Sequence, residues 1–264
     1  NPKGLEVILK NGTEIIPSIT TKIQDKDSVQ IWHKSKKIDS LIIIVKNNLY
    51  QKDYITKLKS LKKDSLIINS LQRSVLNFRE KFTLKSTIPL VKFDNSKITL
   101  INKDSVAIKF TTEYDQWNQE LKFDFQKEPN EFYKLKILPG AMVDYYDKAN
   151  DSLTYKFATK GTADYGNLIL KLENVKQFPI IVELIDKSEK IIATEYSENN
   201  AVIDFRLVEP TYFTVRIIYD TNKNREWDSG NYLKKEQPEE VIILPKGIDV
   251  RANWDVEQTI NLSN

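Results

Sequence analysis

The residues best equipped for chemistry stand in one stretch, Asp220-Thr221-Asn222-Lys223-Asn224-Arg225-Glu226-Trp227-Asp228-Ser229-Gly230-Asn231. Oxygen-bearing side chains occupy positions 1, 3, 5 and 9 of this stretch, and the Glu226 carbonyl falls at position 7. That is the spacing of a calcium loop: a hard cation needs several oxygens, and alternate residues of a tight loop point inward together. Asp220, Asn222, Asn224, Glu226 and Asp228 are the candidate metal ligands. Two positions depart from the pattern. Arg225 stands where glycine normally makes the sharp turn, and Asn231 stands where a bidentate glutamate is expected. Among the ligands expected to converge, only Asp220 and Asp228 carry charge, so the pattern predicts weak affinity. The competing reading is an Asx-rich hairpin loop whose side chains bond their own backbone.

Aromatic side chains raise a second kind of chemistry, the stacking of flat rings on sugars. The chain has 4 tryptophans and 12 tyrosines. Trp32, Trp117, Trp227 and Trp254 are candidates, and Tyr114, Trp117, Tyr145 and Tyr146 could share one end of the middle of the chain. Aromatics also favour strands and fill cores, which is the expected role for most of them. Tyr145, Tyr146 and Trp227 sit among turn residues and are the expected partner or glycan contacts.

Catalytic constellations are missing. There is no cysteine, one histidine (His33) and one methionine (Met142). This excludes a thiolate nucleophile, a thiolate metal site and any mechanism that needs two imidazoles. No Gly-x-Ser-x-Gly elbow, phosphate-cradling glycine loop or HExxH helix occurs. The acidic neighbours Glu113 with Asp115, and Glu239 with Glu240, read as solvated turns. The expectation is a protein that is not an enzyme and requires no cofactor, with calcium as the one candidate ion. The net charge of +3, with lysines interleaved among Asp, Glu, Ser and Asn, offers no basic face for a nucleic acid.

The elements that must position these residues are strands. Val106, Ile108 and Phe110 alternate with polar neighbours, as do Leu121, Phe123 and Phe125, and the runs Phe132 to Leu138 and Leu153 to Phe157. Period-two alternation marks half-buried strands. Helical spacing is nowhere sustained, and turn signals such as Asn11-Gly12, Asn47-Asn48 and Asp94-Asn95 punctuate the runs. The longest apolar run, Leu41 to Val45, suits a buried strand and is far short of a membrane span. The predicted fold is all-β, in three segments. Residues 1–63 form a partial or small module with strands near 5–10, 14–23, 28–33, 40–46 and 53–59, ending at the polar joint Lys62-Lys63-Asp64. Residues 64–160 hold roughly seven strands. Residues 161–264 hold strands near 167–173, 179–186, 190–195, 201–206, 211–219, 240–243 and 257–262.

The middle segment resembles the bacterial Ig-like domain of envelope and surface-layer proteins. The resemblance rests on Phe82-Thr83-Leu84, Ile88-Pro89-Leu90, Ile98-Thr99-Leu100, Tyr133 to Pro139, Asp144 to Asp151 and Tyr155 to Thr159. The last segment resembles the transthyretin-like or carboxypeptidase-regulatory-like sandwich, through Val202 to Leu207, Tyr212 to Asp220 and Asn231-Tyr232-Leu233. The order of modules, with the ending Val250 to Asp255, resembles the C-terminal part of Ig-like domain-containing lipoproteins of Bacteroidetes. The resemblance implies tandem Ig-like and transthyretin-like β-sandwiches. It also implies a non-enzymatic structural or adaptor protein of the cell envelope, associated with the outer membrane on its periplasmic or surface side. Such a protein would dock on an outer-membrane assembly, secretion or uptake complex; the alternative is a carbohydrate-binding surface module. With no methionine at position 1, any signal peptide or lipid-anchoring cysteine would lie upstream.

Overall fold

The computed structural model describes residues 4–23, 26–34, 40–47, 50–57, 65–231 and 235–263. The expected joint Lys62-Lys63-Asp64, residue Asn48 and the pair Tyr232-Leu233 lie outside the described residues. The described chain is all-β, with 23 strands and two single-turn 3-10 segments. It divides into two compact units, Asn1–Leu76 with Lys81–Ala158, and Asn77–Glu80 with Thr159–Asn264. Among the described residues no helix is long and apolar enough to cross a membrane.

The first unit opens with six strands, β1 (Leu5–Asn11), β2 (Glu14–Ile16), β3 (Ser18–Lys22), β4 (Val29–His33), β5 (Ser40–Asn47) and β6 (Tyr50–Lys57). They form an antiparallel sheet in the order β2-β1-β5-β6 and a separate β3-β4 hairpin. Gly12, at φ 61°, takes the left-handed turn between β1 and β2 that an L side chain resists. The sequence pattern predicts one strand over 14–23, whereas the structure ends β2 at Ile16 and begins β3 at Ser18. Pro17 lies at the break; it has no N–H to donate to a ladder, and its fixed φ turns the chain out of the sheet.

The same unit continues with β7 (Ile68–Ser70), β8 (Phe82–Ser86), β9 (Leu90–Phe93), β10 (Ile98–Asn102), β11 (Thr111–Asp115), β12 (Glu120–Asp124), β13 (Phe132–Ile137), β14 (Met142–Asp144) and β15 (Leu153–Ala158). One sheet runs β11-β12-β8-β7, a second β10-β13-β15, and β14 pairs with β9. Inward residues of the two larger sheets meet in one core: Phe82, Leu84, Leu121 and Phe123 from the first, and Leu100, Tyr133, Leu135, Ile137 and Phe157 from the second. Phe82 stacks on Phe157 with ring centroids 4.2 Å apart. Two sheets sharing a dry inner layer make a β-sandwich. Strict alternation along β13 sends Tyr133, Leu135 and Ile137 inward and Phe132, Lys134 and Lys136 outward.

The second unit contains β16 (Gly166–Glu173), β17 (Ile180–Ile185), β18 (Ile191–Ser197), β19 (Val202–Val208), β20 (Thr211–Tyr219), β21 (Val241–Ile243), β22 (Ile248–Val250) and β23 (Asp255–Asn261). In one sheet β16 lies between antiparallel β19 and parallel β23. The other runs β18-β17-β20-β21, with β22 also pairing with β20. Leu168, Leu170 and Leu172 from β16 pack with Val182, Leu184, Phe205, Val215 and Ile217 in a second continuous core. Seven of these strands match the predicted spans closely; β22, three residues long, has no predicted counterpart. The segment Asn77–Glu80 belongs to this unit. Phe78 meets the buried Tyr165 edge-on at 5.5 Å, and the Arg79 guanidinium reaches Glu195 at 2.9 Å and the Arg206 carbonyl at 2.8 Å.

Candidate functional site

Strand β20 ends at Tyr219, and the metal-like loop starts at the next residue, Asp220, which is only 1% exposed. Its carboxylate accepts hydrogen bonds from the backbone N–H of Asn224 (3.2 Å) and Arg225 (2.9 Å). The Asn222 side-chain oxygen accepts from the Asn224 N–H at 3.0 Å, and that of Asn224 from the Glu226 N–H at 2.8 Å. Both side-chain amides donate to Asp228 Oδ2 at 2.6 Å. Hydrogen bonds thus link Asp220, Asn222, Asn224 and Asp228 within one loop, and the Glu226 backbone joins them. These are the Asx turns by which short polar side chains stand in for backbone partners.

One member of this network was not expected. Glu239 reads in the sequence as part of a solvated turn, yet it is 7% exposed. One of its oxygens accepts from the Thr221 N–H (2.7 Å) and hydroxyl (3.0 Å), and the other from the Asp228 N–H (3.2 Å). It thus ties the two ends of the loop together. Nothing near Glu239 in the sequence signals this. The closest hint is its place just ahead of β21, which pairs with the strand that launches the loop.

The departure at Arg225 is also absorbed. Arg225 adopts φ 65°, the left-handed conformation usually left to glycine. Its guanidinium lies over the Tyr196 ring at 4.5 Å and 3.7 Å from Glu198, contacts glycine could not make. Among the described residues no three His, Cys, Asp or Glu side chains converge as a metal cluster. A cation at this loop would depend on asparagine and backbone oxygens and would compete with the hydrogen bonds just described.

The aromatic candidates fall into two groups. Trp32 is buried, and its indole N–H donates to Thr21 Oγ1 at 2.9 Å. Tyr114 accepts from the Leu90 N–H at 2.8 Å and packs on Phe93 at 4.9 Å. Tyr145 donates its hydroxyl to the Pro17 carbonyl at 2.8 Å, with the Lys34 ammonium 5.8 Å from its ring. Burial pushes the Tyr145 phenol up from its ordinary value. Trp117 lines a groove of about 500 Å³ with Lys22, Lys26 and Val29. Tyr146, Trp227 and Trp254 are more open, at 43%, 48% and 58% exposure. Tyr146 meets Trp32 edge-on at 6.4 Å, the Trp227 indole donates to the Glu239 carbonyl at 3.3 Å, and Arg251 covers one face of Trp254 at 5.5 Å. Tyr146 is held by Asp144, 1% exposed, whose Oδ1 accepts from the N–H groups of Tyr146 and Lys148 at 2.8 Å, while the Tyr145 N–H donates to the Pro89 carbonyl at 2.8 Å.

The remaining titratable candidates are dispersed. His33 closes β4 opposite Ser18. Asp115 is bound by its own turn: burial pushes its carboxyl up, but hydrogen bonds from the Asn118 side chain and backbone outweigh this and leave it below the ordinary range. Glu113 lies 3.5 Å from Lys81 across the sheet.

No protein-family profile matches this chain, and no curated protein matches it. Solved structures with some likeness include the major pilin subunit BcpA of Bacillus cereus, at 13% identity over 97% of this chain and 94% of that one, with a TM-score of 0.25. A backbone pilin of Streptococcus pyogenes is 10% identical over 89% of this chain and 68% of that one, with a TM-score of 0.22. A Group B Streptococcus pullulanase is 10% identical over 60% of this chain and 22% of that one, with a TM-score of 0.21.

Proposed function

We propose that this chain is a non-enzymatic structural and adaptor element of the bacterial cell envelope, built from modules 1–63, 64–160 and 161–264. It would dock on an outer-membrane protein complex through the loops that carry Tyr146 and Trp227. The observation behind this reading is how the chain uses its reactive side chains. Asp144, Asp220 and Glu239 are all buried; both oxygens of Asp220 and of Glu239, and Oδ1 of Asp144, accept from backbone N–H groups of their own loop or hairpin, and only Asp144 Oδ2 is left without a partner. Groups engaged in this way hold a scaffold in shape and are not poised for proton transfer or nucleophilic attack. Sandwich modules with separate cores present loops and sheet edges to a partner.

The decisive experiment purifies the full-length protein from its native membrane in mild detergent and identifies what accompanies it by mass spectrometry. A stoichiometric outer-membrane complex, lost on Trp227→Ala, supports the reading. A protein that comes away alone overturns it.

The loop Asp220–Asn231 is proposed to need no metal for its shape. Excess chelator should leave the melting temperature unchanged. A drop that calcium restores would make the loop a calcium site and end this part of the proposal.

A further inference from the structure

The sheet β10-β13-β15 turns one face to the core and the other to solvent. On the outer face, register sets Thr99 beside Lys136 and Thr154, and Ile101 beside Lys134 and Lys156. Phe132 follows on the same face, opposite Ala158, and is 65% exposed. Lys134 and Lys156 are direct cross-strand partners. Like charges placed opposite one another on a sheet work against folding, so this pair costs stability.

Other lysines of the same unit stand beside acids. Lys81 meets Asp124 at 3.2 Å, Lys85 meets Glu120 at 3.7 Å and Lys103 meets Glu131 at 3.2 Å. Among the described residues no acid pairs with Lys134, Lys136 or Lys156. A groove of about 570 Å³ runs beside these lysines and Phe132, with Ser74, Asn102 and Ser105 adding hydroxyl and amide groups to its wall. That volume falls in the range of ordinary ligand sites.

We propose that this face binds an acidic polysaccharide, a chain of sugar rings bearing carboxylates. Three features of the chemistry point to it. The three unbalanced ammonium groups call for an anionic occupant, and Lys134 and Lys136 stand about 6.6 Å apart along β13, so neighbouring sugar carboxylates could each meet one. The exposed Phe132 ring offers a flat apolar platform beside hydroxyl and amide groups, which suits a polyhydroxylated ring. The strand at the centre, β13, is hydrogen-bonded on both sides, so the middle of this face has no free backbone with which an acidic peptide could pair as an added strand. The proposal goes beyond the structural role above and does not depend on it.

The test titrates the full chain with oligogalacturonate by calorimetry, with polyglutamate of matched charge as the competing anion. Oligogalacturonate should bind, more weakly as salt rises. The combined variant Lys134→Gln, Lys136→Gln and Lys156→Gln should lose about tenfold in affinity, and Phe132→Ala about fivefold. Lys171→Gln with Lys176→Gln, both paired and on the other unit, should change nothing. Absence of binding overturns the proposal. So does equal binding of polyglutamate with Phe132→Ala silent, which would mark a peptide surface, or an equal loss in the Lys171/Lys176 variant, which would mark net charge alone.

Discussion

The loop after β20 gathers Asp220, Asn222, Asn224 and Asp228, and each accepts hydrogen bonds from within the loop. The outer face of β10-β13-β15 gathers Lys134, Lys136 and Lys156, and no acid among the described residues answers them. The first region has the residues of a site and uses them to make structure. The second has the residues of an ordinary solvated strand and leaves their charge uncompensated at a cost. What separates the two is satisfaction: polar groups with partners stabilise what they touch, while polar groups without partners at a shaped surface are available to a ligand.

Substitutions can break this contrast in order of expected effect. Asp220→Ala removes the acceptor for two backbone N–H groups beneath the loop and should cost about 3 kcal/mol in urea unfolding, with oligogalacturonate binding unchanged. A loss near zero would return the loop to the list of free binding sites. Gly230→Ala should cost about 2 kcal/mol. Gly230 sits at φ 74°, and an added Cβ would fall 2.6 Å from the Glu236 carbonyl oxygen and the Pro238 nitrogen.

The two faces of β15 offer a sharper version. Tyr155 points inward and donates its hydroxyl to the Ile68 carbonyl at 2.7 Å. Burial pushes its phenol up to about 12 from an ordinary 10.0. The folded state holds this proton more tightly than the unfolded one, so the stabilisation is complete below the ordinary value and is lost as pH rises through about 12. Tyr155→Phe should cost about 1 kcal/mol at neutral pH and flatten the alkaline fall in stability. Its neighbour Lys156 points outward. Lys156→Glu would place an acid opposite Lys134 and should raise stability by about 0.5 kcal/mol while weakening oligogalacturonate binding. Opposite signs for stability and binding at one position are the mark of a charge kept for a ligand.

Much of this fold was legible in the sequence. Alternation marked β12, β13 and β15, and seven strands of the second unit lie close to their predicted spans, because period two is a local property of the chain; the alternating run Val106 to Phe110 forms no strand and makes only an isolated bridge at Ala107. The strand predicted over 14–23 failed at Pro17 although that residue was in view; the apolar pattern continues through it, but the hydrogen-bond ladder cannot. The oxygen-rich spacing of 220–231 was in view as well, but which hydrogen bonds its side chains make was not.

The sequence by itself determined which residues face in and which face out along alternating strands such as β12 and β13, and where the polar loop lies. Only the tertiary structure decided what those residues meet. That Glu239 reaches back to Thr221, 18 residues earlier, and that Lys134 stands opposite Lys156, follow from strand pairing. A one-residue slip of β15 against β13 would send Lys156 to the core face and Phe157 to solvent. Register is selected by the whole buried layer, by Phe82 stacking on Phe157 and Leu135 filling the space between sheets, and no local stretch of the chain contains that information.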